Sequence, residues 1–119
     1  MRKYDLEERL IDFSVAIINL VDVLPNTKAS NHLGGQILRS GTSPALNYGE
    51  AQSSESKKDF IHKFKVILKE LRETLVCIKI LKKSKIVLES ELADFLHKES
   101  NELISIFVKS IETAQRNNN

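Results

Sequence analysis

Between residues 60 and 81 the apolar side chains Phe60, Phe64, Ile67, Leu71, Ile78 and Leu81 recur four and three residues apart, with Thr74 as the one interruption. An α-helix brings such positions onto one face, whereas a strand would scatter them over two. Ile61, Leu68 and Leu75 widen the stripe towards the width of a core-facing surface. The spacing predicts a helix from about Ser56 to Lys83. A helix that is apolar on one side is marginal alone in water and must cover that side against other elements.

The rest of the chain supplies three such elements. Leu6, Leu10, Phe13, Ile17, Leu20 and Leu24 predict a helix from about Asp5 to Leu24. Asp5, Glu7 and Glu8 fall in its first turn, where the helix dipole favours negative charge, and Pro25 and Asn26 end it. Leu92, Leu96, Leu103, Phe107 and Ile111 predict a helix from Glu89 or Ser90 to Ala114, followed by a polar, frayed end. The remaining helix spans about Ser30, taken as its N-cap, to Gln52, and it carries the run Ser40-Gly41-Thr42-Ser43-Pro44. Pro44 cannot donate a backbone hydrogen bond, and its ring crowds the carbonyl of Ser40. That predicts either a kink or two short helices, the second capped by Ser43. Small side chains here also let another helix come close, and Ser or Thr hydroxyls can serve carbonyls freed by the proline. The run Lys85–Leu88 is too short and isolated to pair as a strand. Four long amphipathic helices with short connections predict an all-α, antiparallel up-down-up-down four-helix bundle, one domain over residues 1–119.

Composition narrows the function. A chain of 119 residues builds a modest core, so association of copies would add buried surface. Cys77 is the single cysteine; it lies on an apolar stretch and is expected to be an inert core or semi-buried thiol. No apolar run approaches the roughly 20 residues needed to span a bilayer, and MRKYDLEERL lacks a signal-peptide core. A cytoplasmic location without membrane contact is expected. His32, His62 and His97 sit singly, and Ser40, Ser43 and Ser56 lack His and acid partners for a nucleophile site. A di-metal bundle needs Glu-x-x-His motifs, and none of Glu50, Glu70 and Glu73 has a His three residues on. No catalytic residue, metal or cofactor is expected, and the chain reads as a non-enzyme.

Charge carries the functional signal. The net charge is only +2, but residues 57–85 hold ten Lys/Arg against three Asp/Glu, while residues 86–119 hold three against six. Lys58, Lys65, Arg72 and Lys79 lie seven apart on one helical face, with His62, Lys69 and Lys83 beside them. Such a face suits phosphate backbones. It also fits a solvated helix surface, or pairing with the acidic last helix within or between subunits. No aromatic residue interleaves the stripe, so backbone or duplex-shape recognition is expected rather than base stacking. A second group is polar: Arg39, Asn47 and Glu50 on the second helix, Glu70 and Glu73 on the third. A network of Arg39 with Glu50, Glu70 or Glu73 would fix helix register; the alternative is a set of surface charges.

The segments QILRSGTSPALNYGEAQ, SxxDFIHK and KELRET, with Arg39, Ser40, Ser43, Asn47, Glu50, Ser56, Asp59, Phe60, Lys69, Glu70 and Glu73 in order, resemble the bacterial four-helix-bundle proteins encoded in intervening sequences of 23S ribosomal RNA genes, the S23 ribosomal protein family. Pro44 and Leu46 depart from the family's β-branched residue and Ala, and read as packing variants. The resemblance implies a four-helix bundle and a ring-like homo-oligomer, with a pentamer favoured. It also implies a fold similar to accessory proteins of diversity-generating retroelements, which bind nucleic acid and a reverse transcriptase. The expectation is a homo-oligomeric bundle that binds structured RNA or DNA through Lys58, Lys65, Lys69, Arg72, Lys79 and Lys83. The alternative is a protein–protein assembly module.

Overall fold

The computed structural model describes residues 3–87 and 90–117. It contains four helices, α1 (Lys3–Asp22), α2 (Lys28–Ala51), α3 (Lys57–Lys83) and α4 (Glu91–Arg116), and no strand among the described residues. They pack in a cycle, α1 on α2, α2 on α3, α3 on α4 and, more sparsely, α4 on α1, so that α1 and α3 lie diagonally opposite. This is the up-down-up-down bundle that the four stripes predict, about 50 Å long.

The helix starts are set by side-chain caps. Ser56 accepts from Asp59 N at 3.0 Å and Ser90 from Ala93 N at 3.1 Å, each holding one amide that the helix leaves unpaired. At α2 the cap is Thr27, whose hydroxyl accepts from Ser30 N at 3.1 Å. Ser30 is therefore inside the helix and buried, a correction to its expected capping role. The helix starts earlier because an extended Thr27 already supplies the acceptor. Helix α1 ends at Asp22, and Val23 and Leu24 close it with tighter turns onto Leu20 O and Val21 O. Helix α4 runs on to Arg116. Glu89, one of its two expected starts, lies outside the described residues, as does Leu88. Helix α3 stops where Lys85 takes a left-handed backbone, φ 65°, and Ile86 and Val87 then turn back onto the core.

The core is formed by the predicted stripes. Phe13, Ile17, Leu20, Ile37, Ile67, Leu71, Ile78, Leu96, Leu103 and Phe107 are completely or almost completely buried. Near one end four rings cluster, with Phe64 5.9 Å from Tyr48, 4.2 Å from Phe60 and 5.0 Å from Phe107.

Helix α2 runs unbroken through Pro44, which is buried, so the two-helix alternative is not what forms. The small residues beneath it serve close packing. A Cβ on Gly41 would meet Ile17 of α1 at 2.6 to 2.9 Å, so only glycine lets the two helices approach this far. One residue earlier, Ser40 faces α3, where its hydroxyl lies 2.8 Å from that of Thr74. Thr74 is also 2.8 Å from Glu70 O, and its one proton is shared between these acceptors. The interruption in the α3 stripe is thus a buried hydrogen bond to α2. Thr42 donates to Leu38 O and Asn47 to Ser43 O. Leu46 is 68% exposed, so it is no packing residue of this bundle.

Candidate nucleic-acid interface

The face of α3 that points away from the core is basic along its length. At 1.5 Å per residue, Lys58, Lys65, Arg72 and Lys79 follow one another about every 10.5 Å, and the series from Lys58 to Lys83 extends roughly 37 Å. Lys58, Lys65, Lys69, Arg72, Lys79 and Lys83 are all exposed, as is His62. The stripe and the core face stay separate along the helix because both repeat nearly every seven residues, about a third of a turn apart.

None of these six cations has a carboxylate partner among the described residues. The lysines of α3 that do make contacts stand on its flanks. Lys63 reaches Glu50 of α2 at 2.8 Å, which also holds its pKa above the ordinary lysine value, chiefly through the hydrogen bond. Lys82 reaches Asp94 of α4 at 2.8 Å and lies 3.3 Å from His97 Nδ1. Lys57 donates to Asn117 O. The pairing of basic α3 with acidic α4 inside one chain therefore engages Lys82 and leaves the stripe open.

Near the start of α3 the basic face has a hollow of about 390 Å³. It is lined by Lys58, Ile61, His62 and Lys65 of α3 and by Gln115 of α4. Two ammonium groups beside one depression form a place where an anionic group gains from both at once. Further along, Val76 (54% exposed) and Ile80 (43% exposed) interrupt the charge. They are an apolar component of this surface that residue type alone does not separate from core.

The polar group resolves into two parts. Arg39 of α2 bonds Glu70 Oε2 at 2.6 Å and also Glu73, and these bonds, the one to Glu73 foremost, raise its pKa above the ordinary guanidinium value. With the Ser40–Thr74 bond beside it, this pair of contacts fixes α2 against α3. Glu50 and Asn47 stand apart from it: Glu50 faces Lys63, and Asn47 bonds within its own helix. The α1–α4 side carries a further cross-link that spacing does not announce. Arg9 holds Glu99 at 2.6 Å and Glu102 at 3.1 Å, residues about ninety positions away. Complementary charge was visible in the sequence, but the partner depends on which helices become neighbours.

Among the described residues no group of three His, Cys, Asp or Glu side chains is arranged to hold a metal ion. No described helix is long and apolar enough to cross a membrane.

Comparison with known proteins places this architecture. No curated protein gives a match. A solved structure of a protein of unknown function from the S23 ribosomal protein family of Bacteroides thetaiotaomicron superposes with a TM-score of 0.81 and 31% sequence identity, covering 89% of this chain and 97% of that one. The family model of the 23S rRNA-intervening sequence protein matches residues 2–109. With four helices in the same arrangement and a match over most of its length, the chain belongs to the 23S rRNA-intervening sequence protein family.

Proposed function

We propose that this chain is a non-enzymatic, self-associating helical-bundle protein that binds structured nucleic acid through the basic face of α3. The observation that carries the reading is the set of six exposed cations without carboxylate partners among the described residues, while neighbouring Lys63 and Lys82 are paired. Cations in a row over about 37 Å match the backbone of a duplex or hairpin, where each neutralised phosphate releases counterions. With no aromatic side chain on the stripe, binding rests on phosphate position and duplex shape rather than base identity.

Self-association is supported by α1, whose outer face exposes Ile11, Val15 and Ile18 at helical spacing. A ring of copies, five on the family resemblance, would multiply the basic face and turn modest contacts into avidity. The competing reading, a protein–protein assembly module, is favoured by Val76 and Ile80 within the stripe, since apolar side chains gain little from phosphate.

The test is the affinity of nucleic-acid-free protein for a short RNA hairpin and a DNA duplex across about 50 to 300 mM salt. The expected result is a log–log slope of about −3 or steeper, with binding lost in the Lys65→Glu, Arg72→Glu variant and oligomer size unchanged. Absence of binding at low salt refutes the reading. A change of oligomer size on charge reversal favours the assembly module.

A further inference from the structure

The bundle is not equally closed at its two ends. Helices α1 and α4 make the sparsest of the four pairings. Their cross-link, Arg9 to Glu99 and Glu102, lies inward of the end where α1 begins and α4 finishes. Beyond it a cleft of about 510 Å³ opens into the aromatic cluster. Tyr48, Phe60, Phe64, Leu6 and Ile106 are among the residues that line it. A cleft of this size lies within the range of small-molecule sites, which are mostly apolar with a few placed polar groups.

Two polar residues among those that line this space matter most. Tyr48 is only 4% exposed and lines the cleft; its hydroxyl makes no hydrogen bond to any described residue and keeps some contact with solvent. A buried tyrosine normally finds one. Burial, and to a lesser degree Glu7, push its pKa above the ordinary value, so the hydroxyl is a neutral donor at physiological pH. Lys109 is the single charged side chain among the described residues that line the cleft, and it makes no ion pair with any described residue. The cleft thus joins an apolar, aromatic lining, a hydroxyl with no hydrogen-bond partner among the described residues and one lysine with no ion pair among them.

We propose that this cleft binds a small amphipathic monocarboxylate, with its hydrocarbon part on Phe60, Phe64 and Leu6 and its carboxylate held by Lys109. The hydroxyl of Tyr48 donates the second polar contact. The anion is chosen over a neutral apolar molecule because Lys109 is the one charged side chain among the described residues that line the cleft and has no carboxylate partner among them. The site is separate from the basic stripe of α3, and its occupancy stands or falls independently of nucleic-acid binding.

The probe is decanoate, titrated calorimetrically into the full chain at pH 7, with decanol as the uncharged comparison. The expected result is saturable one-to-one binding of decanoate. Ser110→Trp, which fills the cleft, and Lys109→Glu, which reverses its charge, each weaken it about tenfold or more; Tyr48→Phe weakens it about fivefold, the size expected of one hydrogen bond. Decanol binds about tenfold more weakly than decanoate, because it lacks the charge-assisted contact. Lys109 is exposed and Tyr48→Phe keeps the ring, so these two variants decide the matter even if Ser110→Trp fails to fold. No saturable binding at millimolar decanoate overturns the proposal. So does unchanged affinity in Lys109→Glu, or decanol binding as tightly as decanoate.

Discussion

Gly41→Ala should destabilise this protein although it replaces a helix-breaking residue with the best helix former. In an exposed helix interior the change would stabilise by about 1 kcal/mol. At Gly41 the new methyl would lie 2.6, 2.8 and 2.9 Å from Ile17 Cγ1, Cδ1 and Cγ2. Ile17 is completely buried and its two branches both leave Cβ, so rotating χ1 exchanges one clash for another. Relief requires α1 to move away from α2. Overpacking of this kind costs about 1–3 kcal/mol; with both branches obstructed the upper part of that range applies, and the net loss is about 2 kcal/mol. For a chain of this length that lowers Tm by roughly 8 °C. At Gly35 and Gly49 an added Cβ meets nothing within 4 Å, so the same substitution there should stabilise by about 1 kcal/mol. The assay is urea unfolding followed by far-UV circular dichroism at one fixed protein concentration, with the three variants compared by midpoint at constant slope. In an Ile17→Ala background Gly41→Ala should turn stabilising, because the obstructing carbons are gone. If Gly41→Ala matches Gly35→Ala, or keeps its sign in that background, close approach of α1 and α2 is not what the glycine serves.

Other substitutions probe the remaining contacts. Thr74→Val should cost about 1–2 kcal/mol by leaving the buried Ser40 hydroxyl without its partner, and adding Ser40→Ala should recover part of that loss, read as a coupling energy in the same unfolding assay. Lys85→Gly should raise stability by about 1 kcal/mol, since a non-glycine side chain at φ 65° is strained; a thermal scan would show a Tm gain of about 4 °C. Cys77 is buried and its pKa is raised above the free thiol value, chiefly by desolvation. A raised pKa means less thiolate at any pH below it, so alkylation by iodoacetamide at pH 8 should be slow in the folded protein and become fast in urea.

The reach of sequence reasoning differs from residue to residue. The α3 stripe was legible because four-and-three spacing is a local property that needs no knowledge of neighbours. Ser56 and Ser90 were legible as helix starts for the same reason: a cap acts within three residues. Ser30 misled because two hydroxyl residues, Thr27 and Ser30, stand three apart, and the choice between them rests on where the chain from α1 turns. Thr74 read as a flaw in an apolar pattern; it is the α3 half of a hydrogen bond whose other half, Ser40, lies 34 residues away. The network around Arg39 was foreseen as a choice among three carboxylates. The structure selects Glu70 and Glu73, because Glu50 stands about 16 Å further along the same helix as Arg39.

By itself, the sequence determined that this chain makes helices, how many, and which face of each is apolar, since those follow from periodicity and capping along a few turns. The tertiary structure alone decided which charges are spent on partners. Lys63 and Lys65 are the same residue type two positions apart on one helix, yet one points at α2 and meets Glu50 while the other points at water. It also decided that Gly41 faces a neighbouring helix and Gly35 does not, and that a cleft lined in part by aromatic side chains lies open at one end of the bundle. These outcomes depend on distances between helices that are far apart in the chain, and such distances are fixed only when all four apolar faces close on one another.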